Sequence, residues 1–151
     1  LIQHYFAYGS NMNPRRVKSR GLRVHDAVGA KLDGFELVFD KLSMAPVGTG
    51  HANIRYAPGC FTEGVLYELA HVDEITKMDS FERAPINYSR EVVCIRRGSE
   101  AVWAWTYVAN PAVLKAGLVP SCEYLEHLLA GRPYLSPGYF NALVALRDVC
   151  L

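Results

Sequence analysis

Seven strand-length runs, most of them alternating in polarity, are spread along this chain, and the helix-like stretches beside them are short. The runs are Tyr5-Phe6-Ala7, Val24 to Ala30, Gly34 to Phe39, Asn53 to Tyr56, Cys60 to Leu69, Tyr88 to Arg96 and Ala101 to Val108. Glycine- and proline-bearing turns separate them, notably Ala45 to Gly50 and Ala57-Pro58-Gly59, and Arg97-Gly98-Ser99 reads as a hairpin. This pattern predicts an α+β domain round a strongly curved, mostly antiparallel sheet with helices at its periphery. With 151 residues, half of them hydrophobic, the chain has enough for one well-buried core, so residues 1–151 are expected to form a single domain. Trp103, Trp105 and Tyr107 share one face of the last run, and both tryptophans are assigned to the core.

Two features carry chemistry. Tyr8-Gly9-Ser10-Asn11-Met12 follows the first run directly; glycine there permits a sharp turn in which successive backbone N–H groups make a small anion nest. The same residues also suit a plain strand-to-helix turn. In His71 to Glu82, Val72, Ile75, Met78 and Phe81 recur at helical spacing, with Asp73 and Glu74 in the first turn. Ile75, Met78 and Glu82 follow an i, i+3, i+7 pattern, which sets the Glu82 carboxylate on the apolar stripe. Desolvated there, its pKa rises toward neutrality and it can both take and return a proton. The alternative is a helix frayed at Ser80, with Glu82 paired to an arginine such as Arg83 or Arg90.

Other helices are marked by caps. Asn13 with Pro14 starts one that ends before Gly21, and two more span Ser121 to Ala130 and Pro137 to Val149, the last capped by Ser136. The basic run Arg15, Arg16, Lys18, Arg20, Arg23 reads as a solvated helix and its exit loop. A formal charge of +1, with no aromatic ladder beside that run, gives no general attraction to nucleic acid or membrane. Cys60, Cys94, Cys122 and Cys150 have no Cys-x-x-Cys spacing and are expected as four reduced thiols. The five histidines show no paired ligand spacing, so no metal is expected. No run is long enough to span a bilayer and no signal peptide is present in the chain, which begins at Leu1; the cytosol is the default compartment.

The ordered set of motifs resembles the γ-glutamylcyclotransferase family, with its Tyr-Gly-Ser-Asn loop after the first strand and a catalytic glutamate at a helix end. The likeness rests on Tyr5 to Met12, Gly64-Val65-Leu66-Tyr67, Met78-Asp79-Ser80-Phe81-Glu82 and Tyr88-Ser89-Arg90. It continues in Trp105-Thr106-Tyr107, Pro120-Ser121-Cys122-Glu123-Tyr124 and Ser136-Pro137-Gly138-Tyr139. The resemblance implies a small β-barrel carrying helices, with a pocket between the glycine loop and the glutamate helix. It also implies a reaction: the α-amine of a γ-glutamyl group attacks its own γ-carbonyl, releasing 5-oxoproline and a free amine or amino acid without a cofactor.

In that reading Glu82 is the general acid and base. The backbone N–H groups of Gly9, Ser10, Asn11 and Met12 hold an anionic oxygen, and Tyr88, Tyr107 and Tyr124 line the pocket and orient the glutamyl part through their hydroxyls, with Tyr8 and Tyr139 as further candidates. The partner is a small γ-glutamyl substrate, and the chain acts as a monomer or homodimer. The sequence departs from the family where glycines often follow the glutamate: Arg83-Ala84-Pro85-Ile86-Asn87 is stiffer and puts Arg83 where a carboxylate-bearing leaving group would exit. Alternatives are a donor such as glutathione, γ-glutamyl-lysine or a γ-glutamylated biosynthetic intermediate, and, outside enzymes, a module that holds a small acid. A nucleic-acid-binding barrel rests on the basic run alone.

Overall fold

The computed structural model describes residues 1–151. Five strands, β1 (His4–Ala7), β2 (Val24–Leu42), β3 (Gly50–Leu69), β4 (Tyr88–Arg97) and β5 (Glu100–Ala109), form a closed barrel in the order β1-β3-β2-β4-β5. Neighbours run antiparallel except at the closure, where β1 meets β5 in parallel at Tyr5 and Trp105. The helices are α1 (Pro14–Ser19), α2 (Thr76–Glu82), α3 (Cys122–Leu129) and α4 (Pro137–Ala145), the last running on into a short 3-10 turn over Leu146–Asp148. No helix is long and apolar enough to cross a membrane.

Seven expected runs become five strands because two breaks are bulges. Asp33 pairs with Phe61 and Phe35 with Tyr56, so residues 57–60 bow out of β3 opposite Gly34 while the ladder continues on either side. Pro58 has no N–H for a ladder, and Gly34 and Gly59 take the φ of +82° and +85° that the kink demands. Such bulges increase local twist, and in a hairpin of 19- and 20-residue strands they supply the bend that wraps the sheet on itself.

Successive residues of each strand serve two cores. Phe6, Leu32, Ile54, Leu66, Ile95 and Ala104 include at least one residue from every strand and fill the barrel interior. The alternate set, including Tyr5, Val65, Tyr67, Leu69 and Tyr107, packs outward against Met78 of α2, Leu125 and Leu128 of α3 and Leu143 of α4. That outer cover is partial. Tyr107 lies beneath it, Trp105 is capped by the Arg90 guanidinium 4.4 Å from its ring, and Trp103 stands 62% exposed, correcting its assignment to the core.

Four reduced thiols are also corrected. Cys122 and Cys150 form a disulfide, and Cys60 and Cys94 are free and exposed. The chain after α4 returns to the start of α3, where Cys122 N–H donates to the Leu151 carbonyl at 2.8 Å and Arg147 pairs with Glu126 at 3.0 Å. A separation of 28 residues hides this contact from any local spacing rule.

Gly64 is the closest approach in the wall that holds β1. A methyl group there would run into the Ala7 carbonyl oxygen and lie 2.8 Å from the Phe6 ring. We expect Gly64→Ala to destabilise the protein by about 1–3 kcal/mol through overpacking, read as a lowered Tm in thermal denaturation; an unchanged Tm would show that β1 tolerates displacement.

Candidate active site

The loop after β1 is a 3-10 turn over Ser10–Met12, and Gly9 precedes it. Gly9 leaves room for two neighbours: a Cβ there would stand 3.0 Å from both Ala52 Cβ and the Tyr124 hydroxyl. Gly9, Ser10 and Asn11 line a cleft of about 320 Å³. Met12 does not. Its N–H donates to the Gly9 carbonyl at 3.0 Å and its side chain is fully buried, so the expected cradle loses that member.

Glu82 is the last residue of α2, which does not fray at Ser80 but ends at Arg83 in the left-handed conformation, φ 51°. The turn over Val72–Ile75 is 3-10 rather than α, so the expected helix from His71 is shorter by that turn. Ile75 and Met78 are buried as the stripe requires, whereas Phe81 is 49% exposed and carries the Arg20 guanidinium 4.8 Å from its ring. The Glu82 side chain is 19% exposed, and its carboxylate lies 4.0 Å from Arg20 and accepts from Asn11 Nδ2 at 3.3 Å. Burial raises its pKa, opposed in part by Arg20, Arg16 and Lys41. Neither alternative partner holds it: Arg90 pairs with Asp79 at 3.3 Å, and Arg83 has no ion pair.

Asn11 joins the loop to the glutamate. It is 3% exposed, its carbonyl accepts from Tyr67 Oη at 2.7 Å, and its Nδ2 donates to Tyr5 Oη at 2.9 Å as well as to Glu82. Its Oδ1 accepts from Arg20 at 3.1 Å, so one buried amide orients both the acid and the base nearest it.

Tyr8, Tyr88, Tyr107 and Tyr124 wall the same cleft. Their hydroxyls are already engaged. Tyr88 donates to the Ala52 carbonyl at 2.9 Å, Tyr107 to Asp79 at 2.7 Å and Tyr8 to the Tyr107 carbonyl. Tyr88 and Tyr107 therefore present lone pairs, suited to an ammonium. Tyr124 instead accepts from Ala52 N–H at 3.0 Å and keeps its own proton to give, its pKa pushed up to about 12 by burial. Tyr139 lies elsewhere, on α4, with its ring 6.5 Å from that of Phe61 and its hydroxyl buried without a partner.

A sequence profile of the family described as Gamma-glutamyl cyclotransferase, AIG2-like matches residues 5–126, most of the chain and every wall of the cleft named so far. The chain belongs to that family. Comparison with curated proteins returns no match. Among solved structures, a gamma-glutamyl cyclotransferase superposes with a TM-score of 0.78 at 22% identity, covering 94% of this chain and 86% of its own. An uncharacterized protein from Homo sapiens gives 0.80 at 23%, with the same two coverages. A gamma-glutamyl cyclotransferase specific to glutathione from yeast gives 0.68 at 14%, covering 96% and 95%. These likenesses agree on the fold.

The cleft of this γ-glutamyl cyclotransferase family member holds residues that the sequence reading placed in solvent or passed over. Arg16 and Arg20 turn inward from the basic run, Arg16 Nε donating to Ser10 Oγ at 3.1 Å, while Arg15 and Lys18 stay exposed. Their i, i+4 spacing on a helix that starts beside the loop was the available signal. Lys41 and His51 also line the cleft, from β2 and β3. His51 stacks on Tyr124 at 4.7 Å, and burial, with Lys41 and Arg16 nearby, lowers its pKa to about 4 and leaves it neutral.

Because the Glu82 pKa is higher folded than unfolded, the fold binds the extra proton in the interval between the two. Stability falls as pH rises through that interval, and the cost is complete above it. We expect Glu82→Gln to raise Tm at pH 7 and the advantage to vanish below pH ~4. A variant less stable than wild type at pH 7 would mean that the Arg20 contact outweighs burial.

Proposed function

We propose that the protein converts a γ-glutamyl amino acid or γ-glutamyl amine to 5-oxoproline and the free amine. The observation that carries this is the largely buried Glu82 carboxylate of raised pKa, lining one cleft with the Gly9–Asn11 loop in a member of this family. Glu82 as carboxylate takes a proton from the substrate α-ammonium, whose pKa is about 8. The amine then attacks its own γ-carbonyl, the loop amides meet the oxygen that gains charge, and the protonated Glu82 gives its proton to the leaving nitrogen as the amide bond breaks; the regenerated carboxylate takes the second proton from the ring nitrogen and passes it to the departing amine, which leaves as its ammonium. Nucleophile and electrophile share one molecule, so the enzyme's work is mainly to fold the substrate and move protons.

The hydroxyl polarities support one pose. Tyr88 and Tyr107 offer acceptors for the ammonium, while Arg16 and the free proton of Tyr124 suit a carboxylate or oxyanion.

The test is release of 5-oxoproline from γ-glutamyl-alanine, γ-glutamyl-lysine and glutathione. Wild type is expected to turn over at least one of them, and Glu82→Gln to lose about 10²–10⁴-fold in kcat. The acid limb of the wild-type pH profile should lie above the ordinary glutamate value of about 4.3, the rate rising as Glu82 deprotonates. Near-normal turnover by Glu82→Gln would remove that residue from the role, and silence of the wild type on all three would favour a binding module.

A further inference from the structure

Four cations line the cleft against a single carboxylate, and three of them, Arg16, Lys41 and Arg83, have no ion-pair partner. They fall into two groups. Arg16 and Arg20 are tied to the glycine loop through Ser10 Oγ and Asn11 Oδ1, on the side where the glutamyl portion meets the backbone amides. Neither Lys41 nor Arg83 makes a side-chain hydrogen bond to that loop. Lys41 comes from the end of β2, half-buried and without a side-chain hydrogen bond, and Arg83 follows Glu82 directly at the exposed rim. Each is close enough for Arg83 to depress the Lys41 pKa, beyond the larger effect of burial, and for Glu82 to oppose that drop.

Two like charges gathered beside a cleft, one of them partly desolvated, cost stability until an anion joins them. Resting on the reaction proposed above, the location of that anion follows from bonding. Glu82 delivers a proton to the leaving nitrogen, and in an α-amino acid the carboxylate is one carbon from that nitrogen. It therefore lies next to Glu82, where Lys41 and Arg83 are both within electrostatic reach and neither has an ion-pair partner.

We propose that Lys41 and Arg83 form a leaving-group subsite for a carboxylate, so that the preferred donors are γ-glutamyl α-amino acids rather than γ-glutamylamines. A γ-glutamyl amino acid has an anionic group at each end, and the cleft has a cation group for each. The left-handed backbone of Arg83, with Asn87 N–H donating to its carbonyl at 2.9 Å, fixes where its side chain leaves the chain.

The test separates binding from turnover. Glu82→Gln serves as a non-reacting receptor, titrated by calorimetry with γ-glutamyl-alanine and with γ-glutamyl-ethylamine, which differ chiefly by the carboxylate. We expect the dipeptide to bind at least about tenfold tighter, as a charge-assisted contact implies, and added salt to shrink the gap. Adding Lys41→Met and Arg83→Asn, the latter chosen because asparagine tolerates the left-handed region, should bring the ratio near one. The KM ratio of the wild type reads the same preference in a protein without substitutions. Equal affinities, no binding of either compound, or a ratio that survives both changes would overturn the subsite. Release of 5-oxoproline from both compounds without preference would remove the subsite and leave the reaction standing. A binding preference lost in the substituted protein, with no 5-oxoproline from the wild type, would keep the subsite and remove the reaction.

Discussion

Four residues close this barrel. His4–Ala7 pairs with β3 along its whole length and touches β5 in parallel, and the chain leaving it is the glycine loop itself. The position of the loop is therefore set by the barrel closure. Gly64 permits that closure by leaving space for Ala7 and Phe6, and Tyr67, three residues on, reaches from the adjacent strand to the Asn11 carbonyl. A polar residue as buried as Asn11 is tolerated only when its groups are met, and here Tyr5, Tyr67, Arg20 and Glu82 meet them. The same contacts that make Asn11 affordable in the core give Glu82 an orientation.

The environment of Glu82 balances two opposing influences. Burial pushes its carboxyl toward the neutral form, and Arg20, Arg16 and Lys41 pull it back. A group held between those influences suits proton transfer in both directions, because burial favours its neutral form while the nearby cations favour its carboxylate. This arrangement costs folding free energy at a place where an apolar residue would cost none, the pattern expected where a chain trades stability for chemistry.

Strands were legible where alternation was clean. β4 and β5 follow their runs closely, since a two-sided strand writes its period into the sequence. Bulges were not: Ala57-Pro58-Gly59 has the composition of a turn, yet β3 passes through it because the long partner strand resumes its register on the far side. Trp103 misled for a related reason. Sharing a face with Tyr107 determines which side of the sheet it is on, but whether a helix covers that side depends on how far the outer layer reaches.

The amino-acid sequence by itself determined the glycine turn after the first strand, the apolar stripe that carries Glu82, and the caps that start α1 and α4, because each is a matter of neighbours within one or two turns of chain. Only the tertiary structure decided that Lys41 and His51 join Arg16 and Arg20 from the long hairpin, and that Cys122 meets Cys150. Those contacts span sequence separations that no local period records. They exist because a closed barrel brings the ends of distant strands to one rim, where charge finds its partners in space rather than along the chain.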